Sequence, residues 1–450
     1  MKKALSIAGS DSSAGAGIQA DLKTFSALGI YGATVITTLT AQNTKTVSDI
    51  FVVPPKFFEN QLRTTLTDIK PDVIKIGVLY DRSIIQIVKD ELANCEKPII
   101  VDPVLYSGTG IRLLDESSFE AFKQNILPLA NVITPNLKEA ELLSNTRVKS
   151  TNDLSKAARY ICDLGAEIVI IKGGHYNRMN NEVSDFYYNF SRADYHKISN
   201  PRLPVTETHG TGCNFSSAIA SYIAMGCEPK RAFILSNSYV NRALRNALKV
   251  GNGLLVANPI SQIYNNSEKY ETLITLQSSV ENLEQLNYFS SLIPETKTNF
   301  VYSIPIPRDL FDVAGVVGRI TNYQDKIRSP NVVKFGASNH VGRALLVANN
   351  FTPSIRSAIN IKLTDRLLEI CKELFKCSFY DRKYEHVDNA MKEGTTIQWG
   401  VKEAFKREPN LEVVFHYGDI GKEPMILIFA ETPNGILTKI DEILRIFKKI

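Results

Sequence analysis

The chain has 450 residues, 44% hydrophobic and 22% charged, a composition that excludes a disordered or fibrous protein. Single cores stop growing at roughly 250 to 300 residues, so two domains are expected. A net charge of +5 with acids and bases interspersed gives no basic face for nucleic acid, and runs such as 168–171 and 425–430 fall far short of the ~18 residues of a membrane span.

Met1 to Ile7 carries two lysines and passes at once into a Gly-rich loop, without the apolar stretch of a signal peptide, so a cytoplasmic protein is expected. Short β-branched runs follow at Ala4 to Ala8, Thr34 to Leu39, Val73 to Val78, Pro98 to Asp102, Val132 to Thr134 and Ile168 to Lys172. Amphipathic segments separate them, at Asp81 to Ala93, Asp115 to Ile126 and Asn152 to Leu164, the last capped by Asn152 or Asp153. This alternation predicts an α/β domain around a largely parallel sheet, with ligands outside the carboxyl ends of its strands. Helices are expected over Ser217 to Met225 and Pro229 to Val250, and Gly251, Asn252 and Gly253 then break the pattern. The first domain is placed at 1–257, a linker at 258–268 and a second α/β domain at 269–450.

The second domain opens with a helix from Lys269 to about Leu286, then strands near Phe300 to Ile304, Ala314 to Ile320 and Val332 to Phe335. Helices at Thr364 to Phe375 and Ile397 to Lys406 follow, with strands at Leu411 to His416 and Met425 to Phe429 and a closing helix from Ile436. The six cysteines, at 95, 162, 213, 227, 371 and 377, include no Cys-x-x-Cys pair, which argues against a disulfide scaffold or a structural zinc.

His209-Gly210-Thr211-Gly212-Cys213 precedes a helix of small residues. A Gly-x-Gly turn entering a helix points unpaired N–H groups one way, a ready anion site for a phosphoryl group. Alone it could equally be a plain turn, and its context decides. Asp102 and Glu139 can hold a hydrated magnesium and Lys172 can meet nucleotide phosphates. The N-terminal Gly-rich junction, Ala8-Gly9-Ser10-Asp11 through Asp21, lacks the Gly-Lys-Ser/Thr of a Walker loop. It reads as a substrate-facing edge, with Asp21 and Gln42 supplying hydrogen bonds to a heterocycle. A thiol at a helix N-terminus can have its pKa lowered from ~8.5 toward neutrality, so Cys213 is a candidate acceptor of the substrate's hydroxyl proton.

These motifs, in order with Val101-Asp102-Pro103-Val104, Thr134-Pro135-Asn136 and Lys172-Gly173-Gly174-His175, resemble the hydroxymethylpyrimidine phosphate kinase branch of the ribokinase-like family over nearly all of residues 1–255. The resemblance implies a central sheet flanked by helices, ATP and Mg2+ as cofactors, and phosphorylation of 4-amino-5-hydroxymethyl-2-methylpyrimidine and then of its phosphate. It places the pyrimidine against Gly9, Asp21, Gln42 and Val78, where many relatives carry methionine. The transferring phosphoryl group falls over Gly210, Thr211 and Gly212, with Cys213 where sugar kinases of the family carry aspartate.

In the second half, Gly318-Arg319-Ile320 and Phe335-Gly336-Ala337-Ser338-Asn339-His340 stand out. The latter reads as strand, turn and helix start, with Ser338 or Asn339 as cap and His340 in the first turn. The stretch from about 270 to 450 is similar to archaeal-type thiamine-phosphate synthase domains of AraD-like three-layer type. That similarity implies joining of the pyrimidine diphosphate to thiazole phosphate, with Arg319 and His340 catalytic on the departing diphosphate and Ser338, Asn339 and Arg343 as a secondary anion site, where Arg343 could instead be a solvated side chain. Partners are then these small molecules and ATP, with neither nucleic acid nor membrane, in a homo-oligomer. Three other readings stay open: a pyridoxal-type kinase, a second domain that senses thiamine phosphates without catalysis, and aldolase-like metal chemistry, for which His340, His386 and His416 are widely spaced.

Overall fold

The apolar runs of the N-terminal half become strands buried on both faces, as a parallel sheet enclosed by helices requires. The computed structural model describes residues 1–106, 113–174, 181–203, 208–323, 326–330, 332–381, 383, 395–419 and 423–448. It divides into two units, Met1–Ile263 and Tyr264–Ile450.

The first unit carries β1 (Lys3–Asp11), β2 (Tyr31–Gln42), β3 (Val47–Val52), β4 (Val73–Ile76), β5 (Ile99–Val101), β6 (Val132–Ile133), β7 (Ile168–Ile171), β8 (Glu182–Asn189) and β9 (Asp194–Pro201). They form one sheet in the order β3-β2-β1-β4-β5-β6-β7-β8-β9. The centre from β2 to β7 is parallel. β3 and the β8-β9 hairpin add antiparallel edges that the sequence reading does not contain. Leu5, Ile7, Ile74, Ile76 and Val101 face one core, shared with helices Pro55–Ile69, Arg82–Leu92, Glu116–Asn125 and Thr151–Asp163. Ala4, Val73, Ile100, Ile168 and Ile170 face the other, under helices Gly17–Ala27, Thr211–Ala224 and Pro229–Arg245. The helix expected from Ser217 begins earlier, at Thr211, and the next stops at Arg245. Ser150, not Asn152 or Asp153, caps the 151–163 helix, in a capping box with Asp153. A short parallel pair, β10 (Thr208–His209) with β11 (Leu255–Val256), leads into the 211–224 helix.

In the second unit β12 (Phe300–Ser303), β13 (Val313–Val316), β16 (Val333–Phe335), β17 (Ser357–Lys362), β18 (Cys377–Phe379), β19 (Val413–His416) and β20 (Met425–Ala430) form a seven-stranded sheet, beside an antiparallel pair β14 (Thr321–Tyr323) and β15 (Lys326–Arg328). Its order is β16-β13-β12-β17-β20-β19-β18, antiparallel except between β18 and β19. Phe300 and Tyr302 pack into one core with helices Ser261–Glu284, Asp365–Leu374 and Pro433–Phe447. Val301 packs into the other with His340–Phe351 and Thr395–Arg407. The alternation along β12 thus yields three layers. The helix expected from Lys269 starts at Ser261, inside the span read as a linker.

One buried ion pair ties the first unit together beneath its strand ends. Lys75 on β4 donates to Asp21 on the 17–27 helix at 2.8 and 3.0 Å, and both side chains are fully buried. Asp21 also accepts from Ser6 Oγ of β1 at 2.6 Å and from Ser217 Oγ of the 211–224 helix at 2.7 Å. Burial is the largest single influence and would lower the Lys75 pKa, but the neighbouring charges, Asp21 first among them, and the hydrogen bond to Asp21 together outweigh it and hold the ammonium above its ordinary range. Removing one partner of such a pair leaves an uncompensated buried charge, a cost of about 3–5 kcal/mol. Lys75→Met is expected to destabilise the first unit by that much in urea unfolding, and a loss below ~1 kcal/mol would show that the pair does not hold the unit together.

Candidate active site

The carboxyl ends of β1, β4, β5, β6 and β7 open into one cleft of about 1680 Å³, closed on the far side by the start of the 211–224 helix. Gly9, Gln42, Val78, Asp102, Glu139, Lys172, Gly210, Thr211, Gly212 and Cys213 all line it. These positions, scattered over the sequence, are brought to one wall because every parallel strand ends at the same edge. Asp21 does not line it; the Lys75 that pairs with it does.

At one end of the cleft Lys172 Nζ lies 2.9 Å from Asp102 Oδ1, which also receives the Thr134 hydroxyl at 3.3 Å. Glu139 is buried beside them as the third residue of a capping box, its Oε2 accepting the Asn136 N–H at 2.7 Å. Burial pushes the Glu139 carboxyl up to about 7, with the Lys172 ammonium pulling the other way. Burial would lower Lys172, but Asp102 and Glu139 raise it above its ordinary value. Two carboxylates and an ammonium so placed suit a hydrated magnesium, which takes one or two protein carboxylates and completes its shell with water and phosphate oxygens. Among the described residues no cluster of His, Cys, Asp and Glu forms an all-protein metal cage.

Opposite them, Gly210 is the N-cap of the 211–224 helix with φ +82, and no side chain caps that end. A Cβ at Gly210 would meet the Gly15 carbonyl oxygen at 1.8 Å, and one at Gly212 would stand 3.1 Å from Lys172 Nζ. Glycine at both positions lets the N-terminal loop and the ammonium approach a helix end whose N–H groups await an anion. Cys213, in the first turn, is partly open to the cleft. The expected lowering of its pKa is not found: burial pushes the thiol up to about 12, against the pull of Lys75. The desolvation of a thiolate here exceeds what the helix end and one ammonium return.

At the other end Asp11 accepts from the backbone N–H groups of Ser13, Gly15 and Ala16 and from the Ser13 hydroxyl. His209 Nε2 lies 2.8 Å from Asp11 Oδ2 and 2.9 Å from the Gln42 carboxamide. Burial would raise Asp11, but hydrogen bonds from His209, Ser13 and Ala16 hold it down at about 2. A Cβ at Gly9 would collide with Thr38 Oγ1 at 2.6 Å and Val78 Cγ1 at 2.9 Å, so only glycine lets β1 lie this close to both where it lines the cleft. Sequence reasoning assigned no role to Lys75, Asp11 or His209. Lys75 could have been found as a charge inside the apolar run Val73-Ile74-Lys75-Ile76. His175 lies outside the described residues.

In the second unit His340 is exposed at the first position of its helix, and Asn339 stands at the N-cap without a side-chain cap hydrogen bond. Ser338, buried over Gly315, stands one residue before the N-cap and is not the cap residue, so the expected side-chain capping is not seen. Arg343 is half-buried rather than solvated, and its Nε has no hydrogen-bond partner among the described residues. Arg319 follows Gly318 in a left-handed turn, φ +76 and +68, and its exposed guanidinium donates to the Thr296 carbonyl. His416 is buried, accepts from the Gly418 N–H and lies 5.1 Å from the Tyr380 ring. It is packed as a core side chain, which weighs against a metal role. His386 lies outside the described residues.

The chain matches the phosphomethylpyrimidine kinase family over residues 11–258 and the thiamine-phosphate synthase ThiN family over residues 275–442. It is 30% identical to the bifunctional thiamine biosynthesis protein ThiDN of Methanocaldococcus jannaschii, over 99% of each chain. It is 41% identical over 250 residues to the thiamine biosynthesis bifunctional protein ThiED of Geobacter sulfurreducens, a match over 55% of this chain and 50% of that protein. The match thus spans about half the length of that relative. A solved pyridoxal kinase from Staphylococcus aureus, in complex with AMP-PCP and pyridoxal, is 37% identical with a TM-score of 0.52, over 58% of this chain and 94% of that one.

A thiol held at a pKa of about 12 is unreactive at neutrality, because the thiolate is the nucleophile. Alkylation of Cys213 by iodoacetamide at pH 7, followed by peptide mass spectrometry, is expected to run well below the rate of free cysteine and to rise only in alkaline solution. Faster reaction than free cysteine at pH 7 would show a preformed thiolate and contradict the burial argument.

Proposed function

The chain belongs to the phosphomethylpyrimidine kinase family and carries a ThiN-type thiamine-phosphate synthase domain behind it, and on that premise we propose that it makes and then uses one pyrimidine diphosphate. Residues 1–263 transfer the terminal phosphoryl group of ATP to the hydroxymethyl group of 4-amino-5-hydroxymethyl-2-methylpyrimidine, and again to the resulting phosphate. Residues 264–450 join the diphosphate to thiazole phosphate, giving thiamine monophosphate and diphosphate.

The observation that carries the kinase reading is the Lys172–Asp102 pair facing the uncapped helix start across Gly212. Lys172 orients phosphate oxygens, and the N–H groups of Gly210 to Cys213 receive the phosphoryl group as it moves. Magnesium, when bound with the nucleotide, neutralises the phosphates, and Asp102 and Glu139 are the carboxylates that would hold it. Phosphoryl transfer through a loose transition state asks for positioning more than for a strong base. A protonated Cys213 therefore serves by placing the hydroxyl group, whose proton leaves late to an oxygen of the transferred phosphoryl group rather than to the thiol.

In the second domain, loss of diphosphate needs cationic and N–H donors on the departing oxygens. The start of the 340–351 helix, His340, Arg343 and Arg319 are the donors proposed for this role. A second reading of the first domain, as a pyridoxal-type kinase, draws on the likeness to the Staphylococcus enzyme.

Both readings are tested by steady-state kinetics of the full chain with the hydroxymethylpyrimidine and with pyridoxal. The pyrimidine is expected to have the higher kcat/KM, and Lys172→Met to lower it by at least about a hundredfold. A higher kcat/KM for pyridoxal would favour the second reading, and a Lys172→Met variant within about threefold of wild type would remove Lys172 from the site.

A further inference from the structure

The hydrogens around Asp11 determine which end of Gln42 faces the cleft. Asp11 Oδ1 accepts the Ser13 backbone N–H at 2.8 Å and the Ser13 hydroxyl at 2.7 Å, while Oδ2 accepts the N–H groups of Gly15 at 3.0 Å and Ala16 at 2.8 Å. A carboxyl group met by donors on both oxygens is an acceptor throughout. His209 Nε2, 2.8 Å from Oδ2, therefore carries a hydrogen and donates it. The Gln42 terminus assigned as Nε2 lies 2.9 Å from that same ring nitrogen. Two N–H donors cannot face each other at this distance, and amide oxygen and nitrogen are told apart only by the hydrogen bonds they make. The end of Gln42 that meets His209 is its carbonyl oxygen, which shares the one Nε2 hydrogen with Asp11 Oδ2 in a three-centre bond.

The other end of the amide gives the same answer independently. Thr40 Oγ1 directs its only hydrogen to the Ser10 carbonyl, 3.0 Å away. It also lies 3.3 Å from the remaining Gln42 terminus, and with no second hydrogen to offer it accepts there. The group facing Thr40 is the NH2. One of its hydrogens goes to Thr40, and the other is left for the cleft that Gln42 lines.

We infer that Asp11 and His209 are positioning residues for the heterocycle: they hold the Gln42 carbonyl oxygen so that its NH2 faces the cleft and reads a ring atom that bears a lone pair and no hydrogen. The inference rests on reading this cleft as the pyrimidine site. It also assigns a chemical class to the substrate edge that meets Gln42, an unprotonated ring nitrogen or a carbonyl oxygen. A ring N–H at that place would face another donor and be rejected.

The test combines kinetics of the full chain with histidine side-chain 1H–15N NMR. Gln42→Glu replaces the donor by acceptors, so KM for the hydroxymethylpyrimidine is expected to rise by about tenfold or more while KM for ATP stays within about twofold. Asp11→Asn, which can hand His209 a donor in place of an acceptor, is expected to raise the same KM and to improve relative use of a pyrimidinone analogue whose ring nitrogen carries hydrogen. A purely structural clasp would instead lower kcat or stability without shifting that preference. If Asp11→Asn does not fold, the wild-type spectrum decides: His209, identified by the signals lost in His209→Gln, is expected to carry hydrogen on Nε2, and a bare Nε2 would overturn the inference. If the wild type phosphorylates the pyrimidine but Gln42→Glu leaves its KM unchanged, the inference fails and the kinase reading stands. If the wild type does not phosphorylate the pyrimidine, the kinase reading fails, and the protonation of His209 still decides which way Gln42 is turned.

Discussion

Asp21 and Lys75 meet where neither reaches water, and β1, β4 and the helices 17–27 and 211–224 converge on them through Ser6, Lys75, Asp21 and Ser217. A buried ion pair is a poor source of net stability compared with apolar packing, since desolvation cancels most of its attraction. Its effect here is on placement. Two serine hydroxyls and an ammonium saturate the carboxylate in one arrangement, and that arrangement sets the height of the 211–224 helix against the ends of β1 and β4. Cys213 and the N–H groups beside it are carried by that helix, so the phosphoryl end of the cleft inherits its geometry from an ion pair of which only Lys75 reaches the cleft wall.

Around this anchor the cleft is organised by charge at one end and by directed hydrogen bonds at the other. Asp102, Lys172 and Glu139 gather both signs of charge within a buried space, which suits an anionic nucleotide with its cation. Asp11, His209 and Gln42 form a chain of donors and acceptors that suits a neutral heterocycle. Between them lie glycines whose missing side chains let backbone and ammonium come within contact distance, notably Gly210 against Gly15 and Gly212 against Lys172. Both ends are held by ion pairs and hydrogen bonds within the protein, and stabilisation of a transition state by fixed dipoles requires such fixed groups.

The parallel centre of the first sheet is legible in the sequence because strands buried on both faces read as unbroken β-branched runs. The edges are not: β9 alternates half-buried and exposed positions and ends in Pro201, a pattern with little apolar signal. The glycine turns and the residues Asp102, Glu139, Lys172, Gln42 and Cys213 are legible as a set because a motif fixes them locally. What those residues face is not. Asp21 reads as a substrate contact until Lys75, distant in sequence, is seen to claim it. Cys213 reads as an activated thiol until packing adds a desolvation cost that no helix end reveals by itself.

Both enzymatic steps reside in one chain, so the two activities are made in equal amounts. The chemistry of the steps is complementary, because the diphosphate built in the first domain is the leaving group expelled in the second. That succession is the central claim. It is tested most directly by phosphorus NMR of the full chain with hydroxymethylpyrimidine, magnesium ATP and thiazole phosphate, beside a His340→Ala variant. Thiamine monophosphate and free diphosphate are predicted from the wild type, with the pyrimidine diphosphate accumulating in the variant. Accumulation of the pyrimidine diphosphate in the wild type, with no thiamine phosphate formed, would contradict the account of the second domain.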